Sequence, residues 1–393
     1  MQLSERLQKL KPSATIAMTQ KARDLRNQGL DIISLSIGEP DFHTPDFIKD
    51  AAKKALDENW TAYPPISGYP ELKEAIINKF KRDNGIQYTA SQIVVSTGAK
   101  QSIYNVIQSL VSDGDEVLIP TPYWVSYSDI VELSGGKPVF IPASIENDFK
   151  VTASQIEEYI TPKTKALIYS SPCNPSGSVY TEQELKAIAT LMSKHPEVII
   201  ISDEIYEHIT YGEKMVSIAS FPEVYDQTVT INGLAKGFAM TGWRIGFIGA
   251  PEKLAKACET LQGQVTSGTN SIAQRAAITA LEAEPSAIHY MVESFHERRN
   301  LMIQWANEIK GFRVNEPKGA FYIFPDVSEL FGKTFQGVTI ESADDLTMFL
   351  LEKALVAVVS GTAFGSPNCI RISYAASIDQ LKEAMYRIKK ALE

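Results

Sequence analysis

The sequence predicts an α/β fold: a mostly parallel, seven-stranded sheet flanked by helices, joined to a smaller α+β unit. Two observations carry the prediction. From Ile93 to Ile248, short and continuously apolar runs alternate with stretches of helical periodicity, the pattern of buried parallel strands and their crossover helices. At 393 residues the chain exceeds one typical core, and near Ser286 the pattern changes to a long helical stretch followed by isolated strands.

In order, a polar N-terminal segment holds a helix-like stretch from Ile16 to Gln28, ended by Gly29. The apolar run Ile32 to Ile37 leads into a turn, Gly38-Glu39-Pro40-Asp41-Phe42. Pro45 to Asn59 has helical spacing, and the proline-rich stretch Tyr63 to Pro70 reads as loop. Leu72 to Phe80 and Ser102 to Val111 are expected helices. The expected strands are Ile93–Ser96, Val117–Ile119, Val139–Ile141, Ala166–Tyr169, Val198–Ile201, Thr228–Ile231 and Ile245–Ile248. A connecting helix begins near Ser286, and beyond Gly311 come strands Ala320–Phe324 and Ile370–Ser373 and a closing amphipathic helix, Ile378–Leu392. The expected division is an N-terminal segment 1–45 contributing to the small domain and a binding pocket, a large domain 46–285, and a small domain 286–393.

Composition narrows the function classes. A net charge of −9 disfavours a nucleic-acid surface, which is normally basic. Three scattered cysteines, Cys173, Cys258 and Cys369, show no metal-type spacing and fit a reducing compartment. Residues 1–11 interleave leucines with charges, unlike a signal peptide, and no apolar run approaches the ~18 residues of a membrane helix. A cytoplasmic protein is the expectation.

In sheets of this kind ligands lie beyond the carboxyl ends of the strands, so the residues after each strand are the candidates. After Thr228–Ile231 comes Lys236 among small and apolar residues, with Arg244 eight positions on. A lysine short of water loses its proton readily, and only the neutral amine attacks a carbonyl. Arginine suits a phosphate dianion. Together they form the layout expected for pyridoxal phosphate. Gly98, Ala99 and Lys100 open a helix whose free amides could face a phosphate. Trp124 follows another strand and could stack on a planar ring. Asn174, in a loop stiffened by Pro172 and Pro175, offers a fixed donor. Asp203 emerges from an apolar strand, which is costly unless it meets a cation such as a pyridinium. Taken singly, each has an ordinary alternative: a solvated loop lysine, a tight turn at Gly98, a core tryptophan, a simple turn at Asn174, a helix N-cap at Asp203. Their coincidence at successive strand ends favours the cofactor.

With those residues in place, the chain resembles the fold type I, class I aminotransferases, the aspartate aminotransferase family, from about Lys11 onward. The resemblance rests on Gly233-Leu234-Ala235-Lys236 through Arg244-Ile245-Gly246, on Ser171-Pro172-Cys173-Asn174-Pro175-Ser176-Gly177, on Asp203-Glu204-Ile205-Tyr206, and on Arg371. Lys11-Pro12-Ser13-Ala14-Thr15 and Gly38-Glu39-Pro40-Asp41-Phe42 are similar to the bacterial and plastid subgroup.

The resemblance implies that Lys236 carries the cofactor and moves the substrate proton, and that Asp203 pairs with the ring nitrogen. It implies that Tyr206 and Asn174 bond the ring oxygen, that Trp124 covers a ring face, and that Gly98, Ala99, Lys100 and Arg244 hold the phosphate. Arg371 would grip the substrate α-carboxylate, for which a surface strand arginine is the alternative, and Gly38 would let the substrate approach. Tyr63 would reach the neighbouring subunit's cofactor phosphate, implying a homodimer. Lys100, Ser13 and Thr15 would meet a distal carboxylate, making L-aspartate and 2-oxoglutarate the expected substrates and prephenate a further acceptor. A β-lyase or an aminotransferase for kynurenine or aromatic amino acids is the runner-up. Two positions depart from the common pattern: Gly233, where some members carry a phosphate-binding Ser, and Cys173, where many have Asn.

Overall fold

A computed structural model of the chain describes Met1, Ser4, Leu7, Gln8, Leu10 and residues 12–393. Lys11, where the family resemblance begins, lies outside the described residues. After a short strand β1 (Ile33–Ser34), each of the seven expected runs forms one strand of a single sheet. They are β2 (Ile93–Thr97), β3 (Glu116–Pro120), β4 (Lys137–Ile141), β5 (Thr164–Ser170), β6 (Ile199–Asp203), β7 (Thr228–Gly233) and β8 (Ile245–Gly249). Their order is β2-β8-β7-β6-β5-β3-β4.

Only β8 runs against its neighbours. The reason is the connection from β7, residues 234–244, which is too short for the crossover of about a dozen or more residues that a parallel pair needs. Every other strand, β2 included, points its carboxyl end to the same edge. That edge receives Gly98, Trp124, Asn174, Asp203 and Lys236. Six of the seven strands are buried on both faces over most of their length, which is why they read as apolar runs; the edge strand β4 buries only Ile141.

The smaller unit differs in detail from expectation. The connecting helix spans His289–Asn307, preceded by a 3-10 turn at Pro285–Ile288. The expected strand Ala320–Phe324 is reduced to Tyr322–Ile323, because Ala320 adopts a left-handed backbone (φ 57°) that cannot continue a strand. Tyr322–Ile323 pairs with Ile370–Ser373, which pairs in turn with Val359–Ser360. β1 pairs in parallel with Val356–Ala357, tying the N-terminal segment to this unit. One buried cluster joins Leu35, Ile205, Tyr206, Phe321, Tyr322 and Ile372, so a common core underlies the edge where the strand ends meet. Among the described residues, no helix is long and apolar enough to cross a membrane.

Candidate active site

A cavity of about 520 Å³ opens at the carboxyl edge of the sheet. It is lined by Ser13, Thr15, Gly38, Gly98, Ala99, Lys100, Trp124, Asn174, Asp203, Tyr206, Lys236, Arg244 and Arg371. Of the expected site residues only Tyr63 is elsewhere: it is 97% exposed on its loop.

Lys236 is half-buried in the cavity wall and donates from Nζ to the Gly38 carbonyl. Burial, reinforced by Arg371 and Arg244 and opposed by Glu39 and Asp203, pushes its ammonium down to about 8. Half-buried in the cavity wall, Lys236 is not a solvated loop lysine. Asp203, at the end of β6, is 4% exposed. Burial lifts its carboxyl to about 6, even though Tyr127 donates to Oδ2 at 2.6 Å and the Ile205 amide to Oδ1 at 3.3 Å. No helix follows Asp203, so the N-cap alternative also fails.

Arg371 is 2% exposed, not the surface arginine its strand position would also allow. It donates to the Asn174 oxygen at 3.0 Å and to the Ser36 carbonyl at 2.6 Å, and its Nε is buried without a partner. Its guanidinium lies 4.7 Å from the Tyr322 ring centroid and 4.9 Å from that of Phe364. Among the described residues no carboxylate pairs with it. A buried cation supported only by neutral groups is a receptor for an anion. Because Asn174 turns its oxygen to Arg371, its amide nitrogen faces away from that bond and has no partner among the described residues.

The part of the cavity expected to take a phosphate is built by a helix start. Gly98 (φ 84°) precedes the helix Ala99–Leu110. The Gly98 amide is already bonded to the Ser96 carbonyl at 2.8 Å, so the free donors of this turn are the amides of Ala99 and Lys100. Gly98 instead supplies space: a Cβ there would lie 2.4 Å from the Arg244 guanidinium. Gly246 does the same from β8, where a Cβ would meet the Ala99 nitrogen at 2.2 Å. Arg244 itself, in a left-handed conformation (φ 58°), donates to the Thr241 carbonyl at 2.8 Å and remains exposed at the rim.

Three contributors were not legible from the strand ends. Tyr127 lies one helical turn beyond Trp124, their rings edge to face at 5.5 Å. Tyr322 places its hydroxyl 2.7 Å from that of Tyr206. Ser36 receives Arg371 through its backbone. The first could have been sought at the i+3 spacing from Trp124; the other two come from distant chain segments and leave no local signal. Gly233 also gains a reason. It faces Gly246 across the β7–β8 pair, and a Cβ would lie 2.8 Å from the Ile245 carbonyl oxygen, so the backbone leaves no space for a serine.

The donor set fits pyridoxal phosphate. Free helix amides and an arginine sit by one part of the cavity, a buried carboxylate and a half-buried amine of lowered basicity line the rest, and two glycines open room that side chains would fill.

The family model for aminotransferase class I and II matches residues 30–388. A probable aspartate/prephenate aminotransferase of Rhizobium leguminosarum bv. phaseoli is 48% identical over 391 residues, covering 99% of this chain and 98% of that protein. The solved aspartate aminotransferase of Rhizobium meliloti superposes with a TM-score of 0.97 at 41% identity, over 100% of this chain and 99% of that one. The Thermus thermophilus aspartate aminotransferase, solved with maleate, gives 0.94 at 39% identity over the whole of both chains. The chain therefore belongs to the class I and II aminotransferase family.

Proposed function

We propose that this aminotransferase transfers the amino group of L-aspartate to 2-oxoglutarate, giving oxaloacetate and L-glutamate. The observation that carries the reading is that the cavity offers anion-binding groups in two places. Buried, unpaired Arg371 suits an α-carboxylate. Lys100, with Ser13 and Thr15, offers a second cationic and hydroxyl-rich lining for a distal carboxylate. Lys100 Nζ rests 4.8 Å from the Trp124 ring centroid, and Ser13, at the N-cap of helix Ala14–Asn27, spends no side-chain bond on capping it. The maleate of the Thermus thermophilus structure is likewise a dicarboxylate.

When bound, pyridoxal phosphate supplies an aldehyde for covalent capture and a ring that accepts electrons from the substrate. The residues that would hold it are Lys236 by covalent linkage, Asp203 at the ring nitrogen, Tyr206 and Asn174 at the ring oxygen, and Trp124 at a face. The Ala99 and Lys100 amides and Arg244 would take the phosphate, with Gly98 giving room. Arg371 orients the substrate by its α-carboxylate, Gly38 leaves space beside it, and Lys236 Nζ takes the proton from the substrate Cα and returns it. The amine's lowered basicity suits that role near neutral pH.

The same reading divides the chain into 1–45, 46–285 and 286–393, and makes the working unit a homodimer in the cytoplasm. Tyr63, fully exposed beside exposed Ile66, would extend to the neighbouring subunit's phosphate. Prephenate, also a dicarboxylate, would be a further acceptor.

The test compares kcat/KM for aspartate, alanine, phenylalanine and kynurenine; if aspartate is not the best donor, the specificity reading is wrong. Lys100→Ala should remove a charged contact of about 1.5–3 kcal/mol, lowering kcat/KM for aspartate some ten- to hundred-fold while leaving alanine nearly unchanged.

A further inference from the structure

We propose that Tyr127 is a positioning residue that fixes the orientation and charge of the Asp203 carboxylate, and through it the hold on a protonated ring nitrogen. The inference rests on the reading of Asp203 as the ring's partner.

Tyr127 belongs to the helix Ser126–Leu133 and is 1% exposed, packed among Ile103, Val106, Ile168 and Ile201. Its phenol has one proton, and Asp203 is the acceptor it reaches. The 2.6 Å separation falls in the short range of charge-assisted O–H···O⁻ bonds. The other oxygen of Asp203 receives only the Ile205 amide at 3.3 Å. Among the described residues, Tyr127 therefore supplies the one short hydrogen bond the carboxylate has.

The consequence follows from elementary electrostatics. Burial in this site disfavours the ionised carboxyl, and a donated hydrogen bond favours it. Without the phenol the carboxylate would be held by a long amide contact alone, free to rotate and easier to protonate. A protonated Asp203 could no longer stabilise a cationic ring. The other titratable groups facing it are Lys236 on the β7–β8 connection and Tyr206 on the segment after β6, with Cys173, on the loop after β5, beside Tyr127. None of the three hydrogen-bonds the carboxylate, so none substitutes for Tyr127. Trp124, two residues before this helix, accepts from the Tyr127 amide through its carbonyl at 2.9 Å, and its ring meets Tyr127 edge to face at 5.5 Å. One turn thus aligns the group over the ring and the group that orients its acidic partner.

The test uses Tyr127→Phe, which keeps the ring and removes only the hydroxyl. The full-length, cofactor-free protein, labelled at aspartate side-chain carbons, is titrated by carbon NMR, with Asp203→Asn identifying the signal by its loss. The expected result is an Asp203 midpoint raised by about one pH unit or more. In the loaded protein, cofactor release monitored by absorbance after dilution should quicken about ten-fold. Where Tyr127→Phe does not fold, 3-fluorotyrosine at position 127, a stronger donor of nearly the same shape, should move the midpoint the other way. An unchanged or oppositely shifted midpoint in either variant overturns the proposal. If Asp203→Asn itself retains cofactor and turnover like the parent, the reading of Asp203 fails instead, and the two failures are told apart.

Discussion

The Arg371 guanidinium donates to the Asn174 side-chain oxygen at 3.0 Å, joining the group proposed for the substrate carboxylate to one proposed for the cofactor. Each fixes the other: Asn174 presents its nitrogen because its oxygen is taken, and Arg371 keeps its fork because Asn174 and Ser36 hold two of its nitrogens. Lysine cannot reproduce a planar fork. Arg371→Lys should cost about 2–5 kcal/mol of substrate binding, lowering kcat/KM at least thirty-fold. The loss should be alike for aspartate and alanine, since both carry the α-carboxylate. A loss confined to aspartate would assign Arg371 to the distal end instead.

Lys236 gives a pH dependence of definite sign. Its folded-state value of about 8 lies below the ordinary lysine value of 10.5, so the folded chain releases this proton earlier than the unfolded chain. The destabilisation is complete below pH 8 and is relieved as pH rises toward 10.5. In the cofactor-free protein, reductive labelling of Lys236 by a simple aldehyde should therefore rise with a midpoint near pH 8, read by peptide mass analysis. Surface lysines such as Lys53, whose ammonium Asp50 raises above its usual value, should label only at higher pH. A Lys236 midpoint matching theirs would show that the cavity does not desolvate the amine.

The sheet was legible because all its strands but the edge strand β4 are buried on both faces and short, so periodicity and length agreed. The direction of β8 was also implicit, in the brevity of residues 234–244. The candidates that follow strands, Asp203, Asn174, Lys236 and Trp124, all line one cavity. What escaped were partners whose role is to hold those groups. Tyr322 meets Tyr206 across a separation of 116 residues, and Ser36 meets Arg371 across 335, distances over which local pattern carries nothing. The reduced strand at Tyr322 was missed for a backbone reason, the left-handed Ala320, in a run whose side chains all read as strand.

Glu204, the residue after β6, is another buried acid. Its Oε1 accepts from Ser217 at 2.6 Å and Ser202 at 2.9 Å, while Oε2 is buried without a partner. Burial pushes its carboxyl up to about 8. The folded chain therefore keeps a proton that the unfolded chain loses near 4.5, and stability declines as pH rises from there to about 8. Glu204→Gln cannot titrate and keeps the acceptor for both serines. It should gain upward of about 1 kcal/mol relative to the parent between pH 5 and pH 8.5, measured by urea unfolding of the loaded protein. A gap between the two proteins that does not change with pH would mean that Glu204 is ionised throughout.

Gly233 tests whether the phosphate site tolerates the serine that some relatives carry. The position pairs with Gly246 in the β7–β8 register, and an added Cβ would lie 2.8 Å from the Ile245 oxygen and 3.0 Å from the Gly246 Cα. Both obstacles are backbone, which cannot swing aside as a side chain can. Gly233→Ala and Gly233→Ser should each lose about 1–3 kcal/mol in urea unfolding, because relief requires the strands to part. Parting them would also shift Arg244 and Gly246, which flank the free amides of Ala99 and Lys100. Phosphate affinity should therefore fall in both variants, and the serine hydroxyl should not restore it. If Gly233→Ser instead holds the cofactor more tightly than the parent, the strands have room to yield, and the glycine reflects a lost donor rather than a steric demand.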